Sequence, residues 1–293
     1  MNHGRLALGT VQFGMDYGIA NQLGRIPPEE ANKLVAQAKI YGIRTIDTGR
    51  SYGTSEECLG NIGVKTWDVI TKVPRLEGLE LRQSLDSWFQ HQLKKSLQAL
   101  KRSHLYGLLI HHASDLLSES GEKLFDLMLA AKNDGFVKKI GVSVYSPEEL
   151  EAVFNRFPLE LVQLPFSIFD QRFFTSGWLQ RLKAAEVEIH SRSVFLQGLL
   201  LLPAEARPKK FLRWRKIWEE WDDWILETNL DPQRACLSAA LIRDEIDRIV
   251  IGFDNIHQLE EICRIDPKTD FSGPSFDVNL PEDLINPVRW SNL

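Results

Sequence analysis

Only three cysteines occur in 293 residues, Cys58, Cys236 and Cys263, and none stands in a C-x-x-C pair. A disulfide framework and a cysteine zinc site are therefore not expected, and the usage suits a reducing compartment. Long apolar runs are also missing, and nothing approaches the roughly 20 residues that cross a bilayer. Residues 1–20 lack the basic, apolar and small-residue order of a signal peptide, so a cytoplasmic protein without a membrane partner is expected. There is no basic excess: 35 Lys+Arg against 40 Asp+Glu gives a net charge of −5, with both signs interspersed. Nucleic-acid binding rests on clustered Lys and Arg, so no such partner is expected. Neither a G-x-G-x-x-G after a strand nor a G-x-x-x-x-G-K-[ST] is found, which leaves a Rossmann sheet and a P-loop without support.

What the chain does have is an unbroken alternation of strand-length apolar runs with longer, polar-faced segments. Strand candidates lie at residues 6–12, 44–48, 68–73, 106–111, 139–144, 161–166, 188–194 and 248–252. Leu108-Leu109-Ile110 and Ile249-Val250-Ile251 have the continuous apolar character of parallel strands covered on both faces. Pro28-Glu29-Glu30 and Ser146-Pro147-Glu148-Glu149 suit first helical turns, where proline is tolerated and the macrodipole favours acids. Eight strand–helix units with no linker predict an α/β fold, a single (β/α)8 TIM barrel spanning residues 1–293. An extra helical insertion is expected at about residues 205–245, between the seventh and eighth strands, and a C-terminal tail from about residue 267. In the insertion, helical patterns are read at 209–228 and 232–244. The first aligns Phe211, Trp214, Trp218, Trp221 and Ile225 on one face. That face should pack on the barrel or over its mouth, with a subunit interface as the alternative; a monomer or a homodimer is expected.

In such barrels reactive side chains gather at the carboxyl ends of strands. Asp47 ends the second strand candidate, Tyr52 follows in the next loop, Lys72 is near the end of the third, and His111 ends the fourth. Singly, an Asp or Lys there is more often a cap or an ion pair, and a Tyr more often packing. Together they form a proton-donating set. An ammonium at Lys72 should favour the phenolate of Tyr52 and lower its pKa. Asp47 would keep the lysine charged, and a neutral His111 could donate to a carbonyl oxygen gaining negative charge. No metal is expected at His111 and His112, because neighbouring strand residues point to opposite faces.

The run Ile46-Asp47-Thr48-Gly49-Arg50-Ser51-Tyr52-Gly53-Thr54-Ser55-Glu56 resembles the D-T-A-x-x-Y-G-x-S-E signature of the aldo-keto reductases. Ile70-Thr71-Lys72, Leu109-Ile110-His111-His112, Ile140-Gly141-Val142-Ser143 and Val162-Gln163-Leu164-Pro165-Phe166 resemble further family motifs in the same order, and the likeness runs over residues 6–261. The resemblance implies Tyr52 as general acid, Lys72 and Asp47 as its tuning pair and His111 as the group that orients the carbonyl. It implies NADP(H) or NAD(H) as cofactor and a small carbonyl compound as substrate. Ser143 and Gln163 would bond the nicotinamide carboxamide. Gly9 and Thr10 in the opening strand, Asp47, Arg192, and Gly252, Asp254 and Gln258 near the last strand are the other positions expected along the nucleotide.

Three departures stand out. Val144 replaces the family's usual Asn, and Arg192 replaces an aromatic ring that commonly stacks under the nicotinamide. Gly252-Phe253-Asp254-Asn255-Ile256-His257-Gln258 lacks the basic residues that usually meet a 2′-phosphate, so NADH use is in play. Arg192 is open between a structural ion pair, contact with the nicotinamide and contact with an anionic substrate. The run from Arg192 to Leu199 resembles a bacterial subgroup met beside surface-polysaccharide and nucleotide-sugar pathways, which implies a sugar-like carbonyl. Two other functions compete with the reductase: a catalytically retired nucleotide-binding barrel acting as a sensor or regulatory subunit, and a Schiff-base aldolase through Lys72.

Overall fold

Strands β1 Leu6–Gly9, β2 Thr45–Asp47, β3 Asp68–Val73, β4 Leu105–Ile110, β5 Val137–Ser143, β6 Leu161–Pro165, β7 Glu188–Arg192 and β8 Arg248–Gly252 pair in parallel in chain order. The barrel closes where Leu6 and Gly9 of β1 meet Ile249 and Gly252 of β8. The protein is thus a single (β/α)8 TIM barrel. This computed structural model describes residues 3–76, 84–266, 273–274 and 280–293.

The strands are buried on both faces, as their apolar continuity requires. The outer helices cover them with one apolar stripe each; Pro28–Ile40, with proline in its first turn, buries Ala31, Leu34, Val35 and Ala38. Ser146 caps Pro147–Phe154 by accepting from Glu149 N at 3.2 Å. Among the described residues no helix is long and apolar enough to cross a membrane.

Two strands stop more than one residue short of their apolar runs, and both do so at the barrel mouth. β1 ends at Gly9 because the backbone N and the hydroxyl of Thr10 both turn to Asp47 O, at 3.1 and 2.9 Å, and a short helix Val11–Gly14 follows. β7 ends at Arg192 because Ser193 adopts a left-handed φ of 65°, followed by Leu196, Gln197 and Gly198 at 45°, 56° and 86°. A side chain at such φ costs energy, so the segment is held by its surroundings.

The insertion begins as a 3-10 turn, Lys209–Trp214, and continues as helices Arg215–Thr228 and Pro232–Leu241. Its aromatic stripe faces inward: Phe211, Trp218 and Trp221 are buried, and Trp214 and Ile225 partly so. Trp218 stacks on Phe169, in the loop after β6, at 5.4 Å. Phe211 meets Trp290 edge-on at 4.9 Å, so the chain's last segment, with its turns Glu282–Ile285 and Pro287–Asn292, packs on the insertion. The stripe therefore packs on the protein's own barrel loop and C-terminal segment. Most of the tail expected from residue 267, namely 267–272 and 275–279, lies outside the described residues.

Candidate active site

Asp47 is the last residue of β2, Lys72 the penultimate one of β3, and His111 stands one residue beyond β4. The Lys72 ammonium donates to both oxygens of Asp47 at 2.7 Å and to Thr48 O at 3.0 Å, and both side chains are buried. Gln163 of β6 adds its Nε2 to Asp47 Oδ1 at 2.7 Å. Each N–H of the lysine is matched, which is what makes an ion pair tolerable in a protein interior. Tyr52 arrives from the loop after β2. Its ring lies 4.9 Å from Lys72 Nζ and meets His111 edge-on, with centroids 5.8 Å apart. That loop is seated by a close backbone approach: a Cβ on Gly14 would fall 1.8 Å from Tyr52 O, and Gly53 needs a φ of 56°.

The field at Tyr52 differs from the expectation. Burial, and then the Asp47 charge, push its pKa well above the ordinary value, and the cation that opposes them is Arg192. Lys72 spends its N–H groups on Asp47 and Thr48 O and makes no bond to the phenol. Burial pushes Lys72 itself down. His111 is lowered to about 3, first by burial and then by Lys72, His112 and Arg192, so its ring is neutral near pH 7. Its Nδ1 is buried without a partner. The two histidines do not diverge as strand alternation predicts; their rings lie 4.8 Å apart, because both stand past the end of β4, where alternation no longer applies. Among the described residues no three His, Cys, Asp or Glu side chains are grouped to hold a metal.

Beside this cluster opens a cavity of about 330 Å³ whose wall includes Gly9, Asp47, Tyr52, Gln163, Arg192, Gly252, Asp254 and Gln258. Four expected site residues are not on that wall: Lys72 and His111 of the catalytic set, and Thr10 and Ser143 of the nucleotide set. Thr10 is fully buried, with its hydroxyl tied to Asp47 O and Ser55, and Ser143 is buried at the end of β5. Arg192 makes no ion pair with any described residue. It donates to Val144 O at 3.0 Å and Ser193 Oγ at 3.3 Å, and its guanidinium lies 4.1 Å from the Tyr145 ring centre. At the far wall Asp254 N donates to Gln258 Oε1 at 2.8 Å, and Asn255 caps the helix Ile256–Arg264. Burial raises the Asp254 carboxyl, whose Oδ1 has no partner.

Sequence reasoning missed the two loops that roof the cavity. Gln197 O accepts from Ile19 N and Ala20 N at 3.1 and 3.4 Å, and Gln197 Nε2 donates to Tyr17 Oη at 3.2 Å. Tyr17, Gly18, Asn21, Gln197 and Gly198 all reach the wall. The one local signal was Gly198, a glycine inside an apolar run, which marks a turn more readily than a strand.

Residues 5–269 match the aldo/keto reductase family. The chain belongs to that family. Among solved structures, an aldo-keto reductase of Bacillus halodurans in its holo form matches this aldo/keto reductase with a TM-score of 0.72 at 17% identity, over 92% of this chain and 88% of that one. A glycerol dehydrogenase of Gluconobacter oxydans follows at 0.70 and 19%, over 91% and 88%. An aldo-keto reductase of Pseudomonas aeruginosa gives 0.67 and 20%, over 92% and 93%. At such identities the likeness speaks to the fold. No curated protein matches the chain.

Proposed function

We propose that this aldo/keto reductase interconverts a carbonyl and an alcohol with NADP(H) or NAD(H), with Tyr52 as the general acid. The observation that carries the reading is the meeting of a protonated tyrosine, a neutral histidine and a fully bonded Lys72–Asp47 pair beside one cavity. The bound nucleotide would supply hydride. Tyr52 is protonated at neutral pH, as a phenol is, and gives that proton to the substrate oxygen; burial and Asp47 oppose the phenolate left behind, and Arg192 favours it. His111, neutral for the reason given above, orients the carbonyl by a hydrogen bond.

The cavity fits a nucleotide. Gly9 and Gly252 leave the wall open between β1 and β8, where a Cβ on Gly252 would fall 2.7 Å from the Gln12 amide. Gln163 keeps its carbonyl oxygen for a carboxamide while its Nε2 holds Asp47, and Ser143 ends the neighbouring strand. The unpartnered Asp254 Oδ1 suits a ribose hydroxyl. A soluble cytoplasmic monomer or homodimer acting on a sugar-like carbonyl completes the proposal, the last point from the likeness at Arg192 to Leu199.

The aldolase reading loses support because Schiff-base chemistry needs a neutral amine, whereas both oxygens of Asp47 grip the Lys72 ammonium. A retired sensor would have no need to keep Tyr52, Lys72, Asp47 and His111 in contact. The test is consumption of NADH and NADPH against a panel of aldehydes and ketones, with Tyr52→Phe as control. Turnover lost in the control is expected; nucleotide binding without turnover on any carbonyl would favour the sensor.

A further inference from the structure

Arg192 carries the unmatched charge of the cavity. The guanidinium fork has more N–H donors than its contacts with Val144 O and Ser193 Oγ use. Among the described residues no carboxylate lies within ion-pair distance of it. Of the acids on the cavity wall, Asp47 is held by Lys72 and Gln163, and Asp254, bonded to Gln258 through Oδ2, makes no ion pair with Arg192. Lys72 and Asp47 sum to zero net charge, so Arg192 carries the net positive charge at this end. Tyr145 backs the guanidinium at 4.1 Å and does not itself reach the cavity, whereas Arg192 does. The field of Arg192 is felt at Tyr52, Lys72 and His111, where it opposes protonation in each case.

This placement bears on the oxidoreductase reading, on which the following rests. A hydride donor has to come within about 3–3.5 Å of the carbonyl carbon, and the oxygen on that carbon has to reach Tyr52. The nicotinamide ring is thereby confined to the end of the cavity that holds Arg192. The reduced ring is neutral and the oxidised ring is a cation. Transfer of hydride, with both bonding electrons, to the carbonyl carbon and of the Tyr52 proton to its oxygen places that positive charge beside a fixed guanidinium. Like charges in a partly enclosed cavity repel more than in bulk solvent.

We propose that Arg192 discriminates between the two redox states of the nucleotide, holding the reduced form in preference to the oxidised one. The consequence is weak product inhibition when carbonyls are reduced, and weak capture of the oxidised nucleotide when alcohols are offered.

The test needs no substrate. Dissociation constants for NADH, NAD+, NADPH and NADP+ are measured by quenching of tryptophan fluorescence in the wild type and in Arg192→Gln, Arg192→Met and Arg192→Lys, with near-ultraviolet circular dichroism as the check on folding. The ratio of the oxidised to the reduced constant should fall about tenfold or more in either neutral variant, mainly through tighter binding of the oxidised form. Arg192→Lys keeps the charge and should stay within about threefold of the wild-type ratio. Equal changes in both constants in a folded neutral variant overturn the proposal. So does a lysine variant that behaves like the neutral ones, since the bonds to Val144 and Ser193 would then be what matters. If the wild type binds neither nucleotide, the oxidoreductase reading falls and takes this proposal with it; binding with an unchanged ratio removes this proposal alone.

Discussion

In the function proposed above the hydroxyl of Tyr52 is the acid, while its half-buried ring packs between Lys72 and His111. Tyr52→Phe should therefore lower kcat by about 10²-fold or more, with nucleotide dissociation constants within about threefold of wild type. A variant whose turnover stays within about threefold assigns the acid to another group. Lys72 predicts a different readout. Lys72→Met strips Asp47 of its two bonds from the ammonium and leaves a buried carboxylate with Gln163 alone, a loss on the order of 3–5 kcal/mol. Urea unfolding should show it, and the double variant Asp47→Asn with Lys72→Met should recover part of the loss; no recovery would mean that the two do not act as a pair. The residue types and their place at strand ends were legible in the sequence. The occupancy of the lysine was not, because it depends on Thr48 O, a backbone atom that no motif advertises.

At the level of elements, β3 and β8 coincide with their apolar runs, whereas β1 and β7 end early although Val11, Phe13, Val194 and Phe195 continue the pattern. Burial goes on where pairing stops: Phe13 and Val194 are buried in loops and short helices that line or support the mouth, and hydrophobicity alone cannot distinguish the two kinds of burial. The turn from β8 into Ile256–Arg264 is where cofactor choice should be made. Its polar groups bond one another, Asp254 N to Gln258 Oε1 and Gln258 N to Asn255 Oδ1, and Arg192 is the one lysine or arginine among the described residues on the cavity wall. A 2′-phosphate thus lacks the charge-assisted partner that makes it worth discriminating. NADPH should bind less than about 100-fold more tightly than NADH, a difference under roughly 2.7 kcal/mol. Titration of both nucleotides decides it, and a larger preference would place a basic group at the site that the wall does not show.

On the scale of the whole barrel, closure is what brings residues 47 and 163, or 52 and 192, to one mouth from distant stretches of chain. The rhythm of eight strand–helix units made that legible, while the roof formed by Tyr17 to Asn21 over Gln197 required the left-handed run after β7 and was not. Gathering titratable groups at the barrel mouth also ties stability to pH. His111 is lowered to about 3 in the folded protein, against about 6.5 in an unfolded chain. Between those values the unfolded state binds the extra proton, so stability rises with pH across the window and is lost progressively on acidification below about 6.5. Glu188 adds a second loss at lower pH. Although its burial acts the other way, bonds from His190, Lys139 and Tyr106 lower its carboxyl, so the stability it contributes is present above the unfolded value of about 4.5 and fades below it. Urea midpoints for wild type and His111→Gln at pH 7, 5.5 and 4.5 separate the two. The variant should be less sensitive to acid between pH 7 and 5, by up to a few kcal/mol at the acidic end by linkage, and should rejoin the wild-type slope only where Glu188 dominates. Parallel curves over the whole range would show that His111 is protonated as readily in the folded mouth as in the open chain, and the neutral imidazole assigned to carbonyl orientation would go with it.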